Sequence, residues 1–140
     1  MRVRTVLTED AREVPRRTLA LLARRVMRGE EGDLDITIIL TDDARLRALN
    51  RRYRGIDRAT DVLSFDLPAL PPAVGPTGEL YISVSQARRQ ARRYRHSLTA
   101  ELERLVVHGV LHLLGHDHKR TGDARRMRSR EEAYLMRRVA

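Results

Sequence analysis

Four of the five histidines lie within eleven residues, in the segment HGVLHLLGHDH that starts at His108. His108 and His112 are four positions apart, so on a helix the two imidazoles lie on one face, one turn apart. Gly115 can adopt a left-handed conformation, end that helix and let the chain bring His118 to the same point. A helix, a glycine turn and a third imidazole with this spacing can surround one tetrahedral metal ion. The segment therefore predicts a metal site made of His108, His112 and His118.

The apolar surroundings of the first two imidazoles favour the same interpretation. Residues 105–114 carry no polar side chain other than His108 and His112, so they predict a helix that is buried nearly all round. Two buried imidazoles without partners would cost roughly 1–3 kcal/mol each, and a shared metal ion removes that cost. Imidazole ligands favour Zn²⁺, although Ni²⁺ or iron would also fit. Three histidines leave the fourth coordination position open, as in catalytic zinc sites.

The residue after the first histidine separates two kinds of hydrolase. In zinc peptidases with this spacing that residue is a glutamate, which acts as the general base. In this chain it is Gly109, which cannot transfer a proton. A metallopeptidase-like hydrolase would need a carboxylate from elsewhere, such as Glu79 or Asp117, and stays an alternative. Asp117 either orients a neighbouring imidazole or is a surface acid at the C-terminal end of the helix.

Charge and composition restrict the partners of the chain. Lys and Arg total 28 against 19 Asp and Glu, for a net charge of +9, and Lys119 is the single lysine. Such a surface attracts polyanions, and guanidinium groups bind phosphate oxygens in a bidentate manner. The absence of cysteine excludes disulfide partners and Cys-ligated zinc. We expect a cytoplasmic protein without membrane contact, since no secretory signal and no apolar run of about 20 residues is present.

The pattern of apolar residues predicts one α+β domain over residues 1–140, with a mixed sheet of about four strands and about five helices. The predicted order is β-α-β-α-β-β-α-α-α, with the histidine helix buried at the centre. A Pro-rich loop is expected from Pro68 to Gly78. The strands are predicted at 2–7, 34–40, 61–65 and 79–84. The helices are predicted to begin at Val14-Pro15, at the caps Thr41 and Ser85, at a cap on Ser97 or Thr99, and at about Asp123, the last one running to Val139.

Three further motifs accompany the histidine segment: YRG at 53–55, TDVLSF at 60–65 and GELYIS at 78–83. Together with HGVLHLLGHDH they closely resemble the bacterial YbeY endoribonuclease (rRNA maturation factor) family, over nearly the whole chain. The resemblance implies a metal-dependent endoribonuclease that cleaves single-stranded RNA. It also implies action in ribosomal RNA processing, at the 3′ end of small-subunit rRNA, and in ribosome quality control. The implied partners are RNA, the small ribosomal subunit and its assembly factors.

The same resemblance assigns roles to individual residues. His108, His112 and His118 match the metal ligands of the family, and Arg54 matches an arginine that the family needs for activity. Arg54 and His108 are therefore the predicted catalytic residues, with Arg54 stabilising the extra negative charge of the transition state. His116 stands where the family usually has tyrosine, so it can in principle compete for the metal or support it from outside the ligand set.

Arginines on two predicted helices, together with Arg58 just after the first of them, are candidates for holding the RNA backbone. Asp61, just before a strand, either caps a turn or lines the cleft. The candidate RNA-binding residues are Arg51, Arg52, Arg58, Arg88, Arg89, Arg92 and Arg93.

A non-catalytic ribosome-binding module with a structural metal is a further alternative to the enzyme.

Overall fold

The structure of the protein, a computed structural model, describes residues 2–8, 13–67, 77–116 and 121–136. The order of its elements confirms the predicted one, and none of the helices described is long and apolar enough to cross a membrane. The elements are β1 (Val3–Leu7), α1 (Arg16–Gly29), β2 (Asp35–Thr41), α2 (Asp43–Arg54), β3 (Val62–Leu67), β4 (Thr77–Ser83), α3 (Val84–Tyr94), α4 (Leu98–Leu113) and α5 (Thr121–Met136).

The four strands form one mixed sheet in the order β1-β2-β4-β3. β1 runs parallel to β2, β2 runs parallel to β4, and β3 pairs antiparallel with β4 at the edge. Ile38 of β2 lies beside Leu80 of β4, and Leu40 lies beside Ile82. All four side chains are buried, because alternate residues of neighbouring strands share the face that the helices cover. The predicted α+β class and mixed sheet are confirmed.

Helix α4 is the central helix, as the sequence predicts. It contacts α1, α3 and α5 on its sides and β3 and β4 beneath it. Ser97 is its cap: the hydroxyl accepts a hydrogen bond from the backbone N–H of Ala100 at 3.0 Å. Apolar burial accounts for its place in the core, through Leu102, Leu105, Val106, Val107, Val110 and Leu111.

Two predicted caps are wrong. Helix α2 is capped by Asp42 instead of Thr41, and helix α3 by Ser83 instead of Ser85. Thr41 pairs with Ser83 as the last residues of β2 and β4, so β2 ends one residue before the cap of α2 and β4 ends on the cap of α3. In both helices the capping oxygen accepts from the backbone N–H three residues later, at 2.9 Å for Asp42 and 3.1 Å for Ser83. The position of each cap is therefore set by where the preceding strand ends its pairing in the sheet.

The antiparallel pair β3–β4 is longer than the sequence predicts. β3 continues to Leu67 and β4 begins at Thr77, so Gly78 is a strand residue instead of a loop residue. Residues 68–76 of the predicted Pro-rich loop lie outside the described residues. Helix α5 begins at Thr121, two residues before the predicted start, and the end predicted at Val139 lies outside the described part of the chain.

Candidate active site

The two histidines of α4 line one cavity. Its volume is about 280 Å³, and it opens between the C-terminal half of α4, the end of α2 and the edge strand β3. Three separate sequence motifs thus meet at one place, as the resemblance implies. The lining residues are Arg54, Thr60, Asp61, Val62, Ser64, His108 and His112.

Close packing of α4 on the sheet sets the position of the two imidazoles. A Cβ added at Gly109 would lie 2.2 Å from Leu80 Cδ1, far inside van der Waals contact. The Ser64 hydroxyl on β3 also donates to the Gly109 carbonyl oxygen, at 3.4 Å. Position 109 therefore faces the strands, and a side chain there would require the buried Leu80 to shift. A glutamate base of the peptidase kind at this position would displace Leu80 in the core.

His108 is held by a carboxylate from α5. Its Nδ1 lies 2.6 Å from Oε1 of Glu131, and the two side chains are 28% and 15% exposed. The prediction of a helix buried nearly all round is wrong at the two imidazoles, because both are half-buried at a cavity wall. His108 also has a protein partner, Glu131. Nδ1 bound to a carboxylate leaves Nε2 as the nitrogen with which His108 can bind a metal, a common arrangement of histidine ligands.

The sequence prediction did not single out Glu131, although a signal for it exists. Met127 and Tyr134 are the buried residues of α5, and Glu131 follows the first by four positions and precedes the second by three. A carboxylate on the apolar stripe of a helix needs a partner within the fold. Its partner, 23 residues earlier in the chain, is not readable from the sequence.

Arg54 reaches the cavity because α2 ends there. It is the last residue of α2, and the helix ends at Gly55, whose φ of 70° lies in the left-handed region that glycine adopts without strain. Asp61 also lines the cavity, which is the second of its two predicted roles. Its Oδ2 accepts from Gln90 Nε2 at 3.3 Å and lies 3.8 Å from a guanidinium nitrogen of Arg104.

The other predicted site residues follow the end of α4 in the chain. His118 and Asp117 lie outside the described residues. His116 is described, and its Nε2 lies 2.9 Å from Oε1 of Glu30, at the end of α1. Burial raises the pKa of Glu30, but hydrogen bonds from Arg130, Tyr134 and the His116 imidazole outweigh it and hold this pKa below its usual value. In the described part of the chain, His116 is thus held by the Glu30 carboxylate and not at the cavity of His108.

The described residues include two of the three predicted metal ligands, His108 and His112. They contain no group of three or more His, Asp or Glu side chains arranged to hold an ion. His108 and His112 offer two imidazoles to one cavity, and Glu131 fixes the tautomer of the first. This donor set fits Zn²⁺ or a similar divalent cation. A third ligand at His118 stays a prediction.

The seven candidate RNA-binding arginines fall into three groups. Arg88 and Arg89 of α3 form ion pairs with Glu13 and Asp43, which come from other parts of the chain, so their charges are partly neutralised. Arg58 lines a second cavity that adjoins the histidine cavity. The other four are exposed around the ends of α2 and α3: Arg51, Arg52, Arg92 and Arg93.

Fold and site together define a class: α+β proteins in which a central helix presents histidines to a cavity shared with an arginine. A sequence profile of the family described as "Endoribonuclease YbeY" matches residues 4–138. The endoribonuclease YbeY of Moorella thermoacetica is 45% identical over 124 residues, which cover 82% of this chain and 80% of that protein. The protein belongs to the YbeY endoribonuclease family, which confirms the resemblance seen in its motifs.

Two further comparisons agree with this membership. The endoribonuclease YbeY of Anaeromyxobacter sp. (strain Fw109-5) is 55% identical over 106 residues, 75% of this chain. The match covers 54% of that relative, so the chain spans about half of its length. The solution structure of the Thermotoga maritima protein TM1509 superposes with a TM-score of 0.66 at 28% identity, covering 95% of this chain and 86% of the other.

Proposed function

We propose that this protein is a metal-dependent endoribonuclease that cleaves single-stranded RNA during ribosomal RNA processing in the cytoplasm. The observation that carries the proposal is the convergence of Arg54, His108 and His112 on one cavity. Its family membership and the names of its relatives point to the same activity. The small ribosomal subunit and its assembly factors are the proposed partners, and RNA is the proposed substrate.

The proposed site residues have two roles: some would hold a cation, and others would bind the phosphodiester. His108 and His112, with His118 as the proposed third ligand, would hold Zn²⁺ or another divalent cation. Such an ion supplies Lewis acidity toward a phosphoryl oxygen. Arg54 offers a planar guanidinium that binds two oxygens at once and so stabilises the additional negative charge of the transition state. The Thr60 and Ser64 hydroxyls complete the polar wall that faces the substrate.

The peptidase alternative loses one of its two proposed bases. Glu79 lines a different cavity, together with Arg2, Arg4 and Asp35, and its carboxylate accepts a hydrogen bond from the Tyr81 hydroxyl at 2.9 Å. Gly109 cannot be replaced by a larger residue without a collision with Leu80. RNA cleavage is therefore the function that the cavity supports best.

Removal of the metal is the direct test of the proposal. Chelator-treated protein is expected to lose cleavage of a labelled single-stranded rRNA fragment, and one equivalent of Zn²⁺ per chain is expected to restore it. The same fragment annealed to its complement serves as the matched substrate and should resist cleavage. Casein is the control for peptidase activity. Cleavage that persists in a preparation shown to be metal-free by elemental analysis would overturn the metal dependence, and cleavage of casein alone would favour the peptidase.

The Glu131–His108 contact makes a second prediction, on metal affinity. Glu131→Ala is expected to weaken zinc binding by roughly 10- to 100-fold, because partners that orient a ligating imidazole contribute about that much. Glu131→Gln keeps an oxygen acceptor near Nδ1 and should lose less. Competition with a chromophoric chelator measures the affinity without relying on activity.

The neighbouring residue provides the control for this experiment. Glu132 is exposed on the same helix, one position further along the chain. Glu132→Ala removes the same charge from α5 and should leave zinc affinity unchanged. Equal affinities of the Glu131→Ala and Glu132→Ala proteins would show that Glu131 does not position the ligand.

A further inference from the structure

A second cavity adjoins the histidine cavity and shares Arg54, Thr60 and Asp61 with it. Its volume is about 370 Å³, within the range of about 300–1,000 Å³ that is typical of small-ligand sites. The whole chain contains one asparagine and two glutamines, Asn50, Gln86 and Gln90, and all three line this cavity. We call the cavity the amide pocket. In a chain whose polar residues are mostly charged, this concentration of neutral amides sets the pocket apart.

Asn50 contributes an acceptor without a donor. It is 5% exposed, on the buried side of α2, and its Nδ2 donates to the Arg58 carbonyl oxygen at 2.9 Å. That bond fixes which way the amide is turned, because the opposite orientation would set two oxygens against each other. Within the described part of the chain, Oδ1 of Asn50 has no hydrogen-bond partner. Because this oxygen has almost no accessible surface, a ligand N–H group can reach it only after a shift of the pocket wall.

The two glutamines are fixed by a chain of hydrogen bonds that ends on Glu101. Gln86 Nε2 donates to Gln90 Oε1 at 3.1 Å, and Gln90 Nε2 donates to Glu101 Oε2 at 2.5 Å. Glu101 is fully buried. Burial raises its pKa, but hydrogen bonds from Arg104, Gln90 and His96 outweigh burial and hold this pKa below its usual value. The ionised carboxylate can only accept, so it turns the amide nitrogen of Gln90 toward itself and the oxygen toward Gln86.

The fixed amides keep hydrogen-bonding capacity for a ligand. Gln86 Nε2 has a second N–H and Gln90 Oε1 has a second lone pair. A neutral, planar ligand edge with alternating donors and acceptors matches such a set, and a nucleobase is a ligand of this kind. Arg54 and Arg58 line the same pocket and are exposed, so they can meet the phosphates on either side of the base. A bare phosphate fits less well, because the Asp61 carboxylate is part of the wall.

We propose that the amide pocket binds the base of one unpaired nucleotide next to the cleaved phosphodiester. The proposal rests on the ribonuclease function proposed above and adds a site that selects the base. Because the pocket is beside the histidine cavity, the nucleotide that enters it is adjacent to the bond that Arg54 contacts. A base must leave its stack and its partner strand to enter such a pocket. The pocket thus gives a physical reason for a preference for single strands.

Sequencing of cleavage products tests the selection. Zinc-loaded protein is incubated with a single-stranded RNA library of random sequence, and the nucleotides flanking each cut are counted. We expect one flanking position to show a preference of about 5- to 100-fold between its best and worst base, the range that amide contacts to base edges provide. Gln86→Met keeps the size of the side chain and removes its hydrogen bonds, so it should bring that ratio toward unity. Thr18→Ala, an exposed change on α1, is the control and should keep the wild-type ratio.

Nuclear magnetic resonance of the three side-chain amide groups tests binding without cleavage. AMP, CMP, GMP and UMP are added in turn to the ¹⁵N-labelled full chain, in its metal-free and zinc-loaded forms. At least one nucleotide should shift the amide signals that Gln86→Met removes or perturbs, while inorganic phosphate alone should not. Shifts that phosphate reproduces, or no shifts with any nucleotide, would overturn the base site.

Failure of the proposed base site and failure of the proposed ribonuclease function give different results. If zinc-loaded wild-type protein cleaves the library with no base preference at any flanking position, the amide pocket is not a base site, and the ribonuclease function stands. If the wild-type protein does not cleave RNA at all, the ribonuclease function fails, and the nucleotide titration still decides whether the pocket binds a base.

Discussion

His112→Ala is expected to give a folded protein that no longer cleaves single-stranded RNA. His112 lies on the last turn of α4, half-buried at the wall of the cavity, so its loss leaves the apolar core of that helix unchanged. Loss of one of the three proposed ligands would remove a cation whose Lewis acidity contributes several kcal/mol, which corresponds to a rate reduction of roughly 10³-fold or more. Cleavage rates, zinc content and thermal unfolding, measured on the same preparation, check this result.

His96→Ala is the matched control for the removal of an imidazole. His96 precedes α4, and its Nε2 lies 2.7 Å from the buried Glu101, outside the histidine cavity. This variant is expected to lose some stability and to keep its zinc and its activity. An unfolded His112→Ala protein would contradict the catalytic role and support the alternative of a ribosome-binding module with a structural metal.

The order of the elements and the central place of α4 were predictable because they follow from apolar periodicity and strong turn residues. The ends of the elements were less predictable. Thr41 and Ser85 are good capping residues, but they lie one and two positions from the observed caps, Asp42 and Ser83. The observed caps lie where β2 and β4 end, at the pair Thr41 and Ser83. A single sequence does not show where a ladder of hydrogen bonds ends, so local capping rules leave this choice open.

The residues of the site also differ in how far the sequence reveals them. His108 and His112 are readable because a helix converts a spacing of four into a shared face. His116 belongs to the same motif, yet it binds Glu30, which is 86 residues earlier in the chain, and no local pattern contains that contact. The amide pocket shows a third case: Asn50 follows Leu46 by four positions on the buried side of α2, so a buried amide was readable, while its meeting with Gln86 and Gln90 depends on the packing of α2 beside α3.

Arg54→Lys is expected to lower kcat by about 10²- to 10³-fold, the usual effect of removing a hydrogen-bond donor that acts on charge developing in the transition state. Lysine keeps the positive charge but lacks the planar fork that binds two phosphate oxygens together. The substitution should not affect folding, because Arg54 is exposed at the end of α2 and the left-handed turn at Gly55 is unchanged. Zinc content should equal that of the wild-type protein.

The division of this effect between kcat and KM decides what Arg54 does. A group that acts on the transition state changes kcat with little change in KM, whereas a group that only attracts the RNA backbone raises KM and makes it more dependent on salt. Arg24→Lys, an exposed change on α1, is the matched control and should leave both constants at the wild-type values. A zinc-loaded Arg54→Lys protein with wild-type kcat would place Arg54 among the candidate RNA-binding arginines. In that case the charge of the transition state would have to be stabilised by the cation that His108 and His112 are proposed to hold.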